Sequence, residues 1–231
     1  MSKIIFEDEY VIVVPSFTEV VPHKHNFCHI FFLGKGEKCD EICVTGSGML
    51  HTMPNAEECR LFLMIDPTSD LADYLQSRAL DGDSPKRIKV TNAFRFSENM
   101  DEEALKDSVN TWLTDNGFHT GKEANEKVED YRVVKLIREI RDYRHLEKRV
   151  DEIAAEYNLS ESRLSHAFKE NVGVSLKGYL IIARLKYAYK LVMEGKSKTY
   201  ASMEAGFATP AHLAYICKKQ MGISISDVLK K

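Results

Sequence analysis

The hydrophobic residues in the first third of the chain fall in short runs that are rich in β-branched and aromatic side chains. Turns with glycine, such as LGKGEK and TGSGM, separate several of these runs, as is typical of strands joined by hairpins. The runs are IIF at Ile4, YVIVVP at Tyr10, HIFFL at His29, EICV at Glu41 and RLFLMI at Arg60. Short strands at this spacing favour a small β-sandwich or β-barrel.

After Pro67 the apolar positions take the period of a helix. The first predicted helix has an apolar face of Leu71, Tyr74, Leu75 and Ala79. A second helix is predicted to begin near Asn99, as N-cap, with Glu102 three residues later. Its apolar stripe consists of Leu105, Val109, Trp112 and Leu113. We expect the two helices to cover the sheet or to pair with a second subunit.

The segment from Asp115 to Asp130 is polar, contains glycine and lacks periodicity, which is typical of a linker. From Tyr131 onward the pattern is helical, beginning with an inward stripe of Val133, Leu136, Ile137 and Ile140. We therefore predict an α+β protein with an amino-terminal domain at 1–117, a linker at 118–130 and an all-α domain at 131–231.

The net charge of -3 conceals an asymmetry between the two halves. Residues 1–129 hold 13 Lys and Arg against 23 Asp and Glu, whereas residues 130–231 hold 19 against 12. A basic half joined to an acidic half indicates that the second half meets a polyanion, although chance segregation of surface charge gives the same count.

The chain of 231 residues contains neither a charged segment followed by a long apolar region at its start nor an apolar stretch of bilayer length. We therefore expect a cytoplasmic protein without membrane contact. Its 5 cysteines are odd in number and include no CxxC pair, which favours reduced thiols.

A weak internal repeat links the two ends of the helical domain, with an offset of 49 residues between Leu164 and Leu213. The other matched pairs are Ser160 with Thr209, Lys169 with Lys218, Gly173 with Gly222, Val174 with Ile223, and Ser175 with Ser224. In each unit a residue that tolerates positive φ, Asn158 or Gly206, precedes a hydroxyl N-cap. Helix, tight turn and capped helix form a helix-turn-helix, whose second helix can enter the major groove of DNA.

The connecting stretch from Leu176 to Met193 is predicted to be a long helix that keeps the two units about one turn of DNA apart, roughly 34 Å. Its apolar residues are Tyr179, Ile182, Ala183, Leu185, Ala188, Leu191 and Val192.

The last hundred residues resemble the DNA-binding domain of the AraC/XylS family of bacterial transcription regulators. The resemblance rests on IAAEYNLSESRLSHAFKENVGVS, on YLIIARLKYAYKLV, and on EAGF followed by HLAYICKKQMGIS. It implies double-stranded DNA as partner, RNA polymerase as a second partner if the protein is an activator, and a homodimer formed through the helices between Pro67 and Gly117.

The resemblance also implies which residues contact DNA. Base contacts are expected from Ser162, Arg163, Ser165 and His166 in the first recognition helix and from Pro210, Ala211, His212, Ala214 and Tyr215 in the second. Phosphate contacts are expected from Ser160, Lys169, Thr209, Lys218 and Lys219. Arg184 matches a position that is structural in the family.

Two departures from the family concern base reading. His166 and Tyr215 stand where family members commonly carry Arg, and neither can make the bidentate guanine contact of an Arg. We therefore expect the second unit to contribute mainly backbone and shape contacts, and Arg163 to be the principal base reader.

The segment VPHKHNFCHIFFLGKGE places His23 and His25 two residues apart, with His29 and His51 further along the chain. This pattern resembles a cupin, the small barrel with which AraC-type regulators often sense ligands. It leaves open a metal site, a pocket for a small organic effector, or purely structural histidines. Cys28, Cys39, Cys43 and Cys59 lie in the same region and either respond to oxidation or pack as small apolar groups.

These observations predict a sequence-specific transcription regulator, an activator, that is controlled by a small ligand. Metal-responsive or thiol-responsive regulation is the alternative. An enzyme, made of a cupin centre fused to a DNA-binding module, is disfavoured because the histidine motif lacks the carboxylate of a catalytic cupin and no cysteine sits in an activated motif.

Overall fold

The computed structural model describes residues 3–15, 22–55, 57–80, 82–118 and 128–221. The chain forms two compact units, Met1–Glu123 and Ala124–Lys231, here called the amino-terminal and carboxy-terminal units. Within the described ranges, every helix is too short or too polar to cross a bilayer.

The amino-terminal unit contains an antiparallel sheet of six strands in the order β1-β2-β5-β3-β4-β6. The strands are β1 Lys3–Phe6, β2 Tyr10–Val14, β3 Cys28–Lys35, β4 Lys38–Thr45, β5 Cys59–Ile65 and β6 Lys86–Arg95. The first five lie where the hydrophobic runs predict them, whereas β6 was not predicted. In the described part of the chain β1 and β6 are the two edges of this sheet, so closure into a barrel stays a prediction.

Both faces of the central strands are buried, and alternate residues of each strand divide between them. The helix-covered face includes Ile12, Ile30 and Leu63, which belong to one core with Trp112 and Leu105. The histidine face is the opposite one, and it carries Val11, Val13, His29, Phe31, Phe62 and Met64.

Two helical segments supply the cover. Helix α1 spans Asp70–Tyr74 and continues as a π-helical turn at Leu75–Ala79, and α2 spans Glu102–Asp115. The predicted N-cap at Asn99 is wrong, because Asp101 caps α2 by accepting a hydrogen bond of 2.8 Å from the Ala104 amide. The indole of Trp112 packs among the core aromatic rings and donates a hydrogen bond of 2.7 Å to the Asn92 carbonyl of β6.

The described residues of the carboxy-terminal unit are helical apart from their connections. The helices are α3 Tyr131–Arg141, α4 Val150–Glu156, α5 Glu161–Val172, α6 Leu176–Met193, α7 Lys198–Glu204 and α8 Pro210–Met221. The apolar stripe of α3 is buried as predicted, and it packs in one core with Leu164, Phe168 and Tyr179. The α+β class predicted from the sequence is therefore confirmed.

Candidate functional site

The first helix-turn-helix unit consists of α4, a tight turn and α5. Asn158 has φ of 53° in this turn, a left-handed conformation that a short amide side chain tolerates. Ser160 then caps α5 by accepting a hydrogen bond of 3.3 Å from the Arg163 amide. The two features turn the chain sharply and leave the amino-terminal turn of α5 exposed.

The second unit repeats this arrangement with α7 and α8. Gly206 has φ of 76° in the turn, and Thr209 caps α8 by accepting a hydrogen bond of 3.0 Å from the His212 amide. Pro210 occupies the first helical position, where its missing N–H costs no intrahelical hydrogen bond. The positive φ and the hydroxyl cap predicted for each unit are both present.

Each recognition helix is anchored by two buried residues spaced four apart. These are Leu164 and Phe168 in α5, and Leu213 and Cys217 in α8. The predicted base-contact residues lie on the other side, where Ser162, Arg163, His166, Pro210, Ala211, His212 and Tyr215 are exposed and Ser165 and Ala214 are partly buried. The predicted phosphate contacts Ser160, Lys169, Thr209, Lys218 and Lys219 are also exposed.

The two exposed faces differ in charge. On α5 the exposed cations Arg163 and Lys169 share the helix with the acids Glu161 and Glu170, and His166 Nδ1 lies 3.0 Å from Glu170 Oε2. Glu161 also pairs with Lys177 of α6 at 3.1 Å. The sequence of α8 contains Lys218 and Lys219 and no acidic residue. The second helix is thus the more favourable one for phosphates, even though it lacks an arginine for base reading.

Helix α6 separates the two helix-turn-helix units and begins and ends where the sequence predicts. Its 18 residues span about 27 Å at 1.5 Å per residue, and its predicted apolar residues are all buried. Arg184 of α6 donates hydrogen bonds of 2.6 Å to the Leu146 carbonyl and 3.2 Å to the Lys148 carbonyl. Arg184 therefore ties α6 to the segment before α4, in agreement with a structural role.

The Gly206 turn packs against the same segment. A Cβ atom at Gly206 would lie 2.2 Å from the Leu146 carbonyl oxygen and 3.2 Å from Arg184 Nε. Only glycine fits this contact, because the position combines a positive φ with a close backbone approach. We call the contact of Gly206, Leu146 and Arg184 the interunit joint. It lies within the carboxy-terminal unit and holds the second helix-turn-helix unit against the first.

Sequence reasoning missed this joint because its partner segment lacks an obvious turn signal. Tyr143 and His145 have φ of 62° and 65°, a left-handed conformation in which histidine is enriched but tyrosine is not. His145 is buried and its Nε2 lies 2.9 Å from Glu139 Oε2, a hydrogen-bond partner that the sequence spacing does not reveal.

The four predicted histidines of the amino-terminal unit do converge. The ring centroid of His51 lies 4.5 Å from that of His23, 4.8 Å from that of His25 and 5.1 Å from that of His29, and His25 is equally close to the other rings. His23 pairs with His51 through a single antiparallel bridge and is not part of a strand.

Hydrogen bonds orient these rings. His29 Nδ1 lies 3.0 Å from the Leu63 carbonyl, and His29 Nε2 lies 2.9 Å from His25 Nε2. His51 Nδ1 lies 2.9 Å from the Met49 carbonyl. Burial, and to a smaller degree the nearby rings of His51 and His23, lowers the pKa of His25 to about 3, and burial also holds the pKa of His29 and of His51 below the usual range. The rings of His25, His29 and His51 are therefore neutral at physiological pH.

The five cysteines are free thiols and all are buried. Burial raises the pKa of Cys28, Cys59 and Cys217 to about 12 and that of Cys39 to about 11. These side chains are protonated at neutral pH, which favours the packing role over a redox response.

A groove of about 500 Å³ lies in the amino-terminal unit. Its lining includes Lys24, the segment from Gly46 to Leu50, Gln76, Leu80 and Asp83. The groove therefore combines one cation and one acid with aliphatic side chains, and the Gly48 and Met49 amides already donate to the His25 and Gly46 carbonyls.

A family model described as a helix-turn-helix domain matches residues 153–231. The carboxy-terminal unit thus contains an AraC-type helix-turn-helix domain, and the resemblance stated from the sequence is confirmed for this part of the chain. Domains of this type bind double-stranded DNA. The matched residues 222–224 of the internal repeat and most of the predicted linker lie outside the described residues.

No curated protein matches the chain in sequence. Among solved structures, ToxT from Vibrio cholerae is 15% identical with a TM-score of 0.50, and the match covers 96% of this chain and 98% of that one. ToxT of Vibrio cholerae O395 bound to (E)-4-(8-methylnaphthalen-1-yl)but-3-enoic acid is 13% identical with a TM-score of 0.50, covering 99% and 97%.

The C-terminal domain of AraT, a response regulator from Geobacillus stearothermophilus, is 21% identical with a TM-score of 0.40, covering 43% of this chain and 84% of that one. At these identities the matches to ToxT establish likeness of fold: a β-containing amino-terminal unit followed by a helical helix-turn-helix unit.

Proposed function

We propose that this protein is a sequence-specific transcription regulator whose helices α5 and α8 enter successive major-groove segments of one DNA duplex. The observation that carries the proposal is the repeated geometry of the two units. Each has a left-handed turn residue, a hydroxyl cap and an exposed first helical turn, and each is anchored by two buried residues.

The exposed side chains of the two helices contact different parts of the DNA in this proposal. Exposed lysines at Lys169, Lys218 and Lys219 neutralise phosphates and set affinity without reading sequence. Arg163 lies in the first turn of α5, which is the part of a recognition helix that contacts base edges, and its guanidinium can bind guanine O6 and N7 together.

The test begins with genome-wide footprinting of the tagged protein, which supplies its natural site. Fluorescence anisotropy then compares the site with a scrambled duplex for the wild-type protein and two variants. We expect Arg163→Ala to lose specificity, with about 5- to 100-fold weaker binding to the site and little change on the scrambled duplex. Lys169→Ala should weaken both duplexes alike and lower the salt dependence by about one charge.

These two variants are matched, because both residues are exposed cations on α5 and neither supports the core. Equal losses of specificity in the two variants would contradict the assigned role of Arg163. The absence of salt-dependent binding to any duplex would contradict the proposed function itself.

We further propose that the amino-terminal unit controls DNA binding through a small effector and a homodimer. The groove beside Lys24 has a volume that suits a small carboxylic acid, and ToxT, which shares the fold, has been crystallised with a naphthalenyl butenoic acid. The homodimer and the contact with RNA polymerase that an activator requires rest on the family resemblance.

A further inference from the structure

The histidine cluster carries an inference that does not depend on DNA binding. One ring nitrogen from each of His23, His25 and His51 lies within 4.8 Å of the other two. His25 and His51 are buried. His23 is partly buried, so it is the ring of the three that is in partial contact with solvent.

His51 has a buried ring nitrogen that is available to bind a ligand. Its Nδ1 is 2.9 Å from the Met49 carbonyl, which can only accept, so Nδ1 carries the proton and Nε2 carries the lone pair. That Nε2 is buried and has no hydrogen-bond partner among the described residues, although His51 is only 4% exposed. A buried acceptor without a partner costs free energy unless something binds it.

The proton positions in His29 and His25 follow from the same reasoning. His29 Nδ1 donates to the Leu63 carbonyl at 3.0 Å, so His29 Nε2 is an acceptor. His25 Nε2 therefore donates to His29 across 2.9 Å, which leaves a lone pair on His25 Nδ1. That lone pair accepts a long hydrogen bond of 3.3 Å from the Phe27 amide.

This arrangement matches the support that metal-binding histidines receive. A ligating imidazole usually donates its second N–H to a carbonyl or another acceptor, which fixes its tautomer and orientation. His51 donates to Met49 and His25 donates to His29, which is itself fixed by Leu63. The His29 ring itself is held between the His25 ring and the Leu63 carbonyl.

Bonds of about 2.05 Å at the tetrahedral angle separate donor nitrogens by about 3.3 Å. The three nitrogens lie within 4.8 Å of one another, so the rings must move closer together to share one ion. Among the described residues the cluster contains no carboxylate and no thiolate, so it suits ions that prefer imidazole and not Mg²⁺ or Ca²⁺.

We propose that His23, His25 and His51 form a three-histidine site for one divalent transition-metal ion such as Zn²⁺, with His29 as a positioning residue and the fourth coordination position open. The site contains three neutral ligands and retains the full charge of the ion, which would attract an anionic group at the open position.

The test uses full-length protein without a histidine tag, freed of metal by a chelator and checked for folding by circular dichroism. Titration with Co²⁺ should produce visible absorption of the intensity typical of a four-coordinate site, saturating at one ion per chain. Zn²⁺ should abolish this absorption, and Mg²⁺ and Ca²⁺ should leave it unchanged.

Variants assign the ligands. We expect His51→Ala and His23→Ala to lose the Co²⁺ band, whereas His166→Ala and His212→Ala, which remove exposed histidines of the other unit, should keep it. Because His51 is buried, His23→Ala supplies a variant in which folding is less at risk. His29→Ala should retain the band with about 10- to 100-fold weaker affinity, as expected for a positioning residue.

A folded wild-type protein that gives no Co²⁺ band and binds no Zn²⁺ at micromolar concentrations would overturn the proposal. So would a band that persists in both His23→Ala and His51→Ala. The assay contains no DNA, so its outcome is independent of whether the protein is a regulator.

Discussion

Gly206 holds the interunit joint, and replacing it with alanine tests how the second helix-turn-helix is fixed to the first. At φ of 76° an alanine is strained by about 1–2 kcal/mol, of which the lower entropy of the unfolded chain offsets a part. The new methyl group would also lie 2.2 Å from the Leu146 carbonyl oxygen, so backbone must move. Such overpacking costs about 1–3 kcal/mol more.

Gly173, which also lies in the carboxy-terminal unit, offers a matched control. Its φ of 79° is almost the same, but no atom lies within 4 Å of a Cβ placed there. We therefore expect Gly173→Ala to lower the free energy of unfolding by about 1 kcal/mol and Gly206→Ala to lower it by about 3 kcal/mol. The backbone strain is common to both variants. The difference between their free energies of unfolding therefore measures the cost of the steric contact with the Leu146 carbonyl oxygen.

The assay is urea denaturation of the full-length chain, with far-ultraviolet circular dichroism reporting the helical unit. The single tryptophan, Trp112, lies in α2, so its fluorescence follows the amino-terminal unit separately and should be unchanged in both variants. Equal destabilisation by the two alanines, or a Gly206→Ala protein as stable as the wild type, would refute the packing argument.

Three further predictions concern the cap, the core and the thiols. Thr209→Ala should destabilise the helical unit by about 1 kcal/mol in urea denaturation, because the His212 amide loses its capping acceptor. Leu164→Ala, at a fully buried position, should cost about 2–5 kcal/mol, whereas Tyr131→Ala, at a side chain that is 76% exposed, should change stability by less than about 0.5 kcal/mol. Because burial raises the pKa of Cys28 and Cys217 to about 12, both thiols should resist iodoacetamide at pH 8 until the protein is denatured. Rapid alkylation of either thiol in the folded protein would contradict that burial.

The elements with a strong period were predictable from the sequence. The five amino-terminal strands and helix α6 lie where the apolar runs place them, since packing of those runs is what stabilises the elements. The turns at Asn158 and Gly206 were also predictable, because few residue types tolerate their φ.

Strand β6 was missed because its apolar signal is weak. Ile88 and Val90 alternate with charged residues and are only partly buried, so the run reads as a polar segment after a turn. It became a strand because β4 offers an unpaired edge, which is a tertiary effect. The start of α2 was misplaced because both Asn99 and Asp101 are acceptable N-caps, and Met100 packs against the core before the helix begins.

The histidine cluster was only half predictable. The spacing of His23 and His25 indicates a shared direction, but the role of His29 depends on its contact with the Leu63 carbonyl in a neighbouring strand. Local sequence does not encode such a cross-strand hydrogen bond. The interunit joint was hidden for the same reason, since the Leu146 carbonyl is a backbone atom without a sequence signature.

The central claim is that one chain places two recognition helices in successive grooves of one duplex. Hydroxyl-radical footprinting on the natural site tests it most directly. Each bound chain should protect two patches on one face of the DNA, about 10 base pairs apart, and Lys218→Ala should weaken binding at both patches. A single protected patch that Lys218→Ala leaves unchanged would contradict the account.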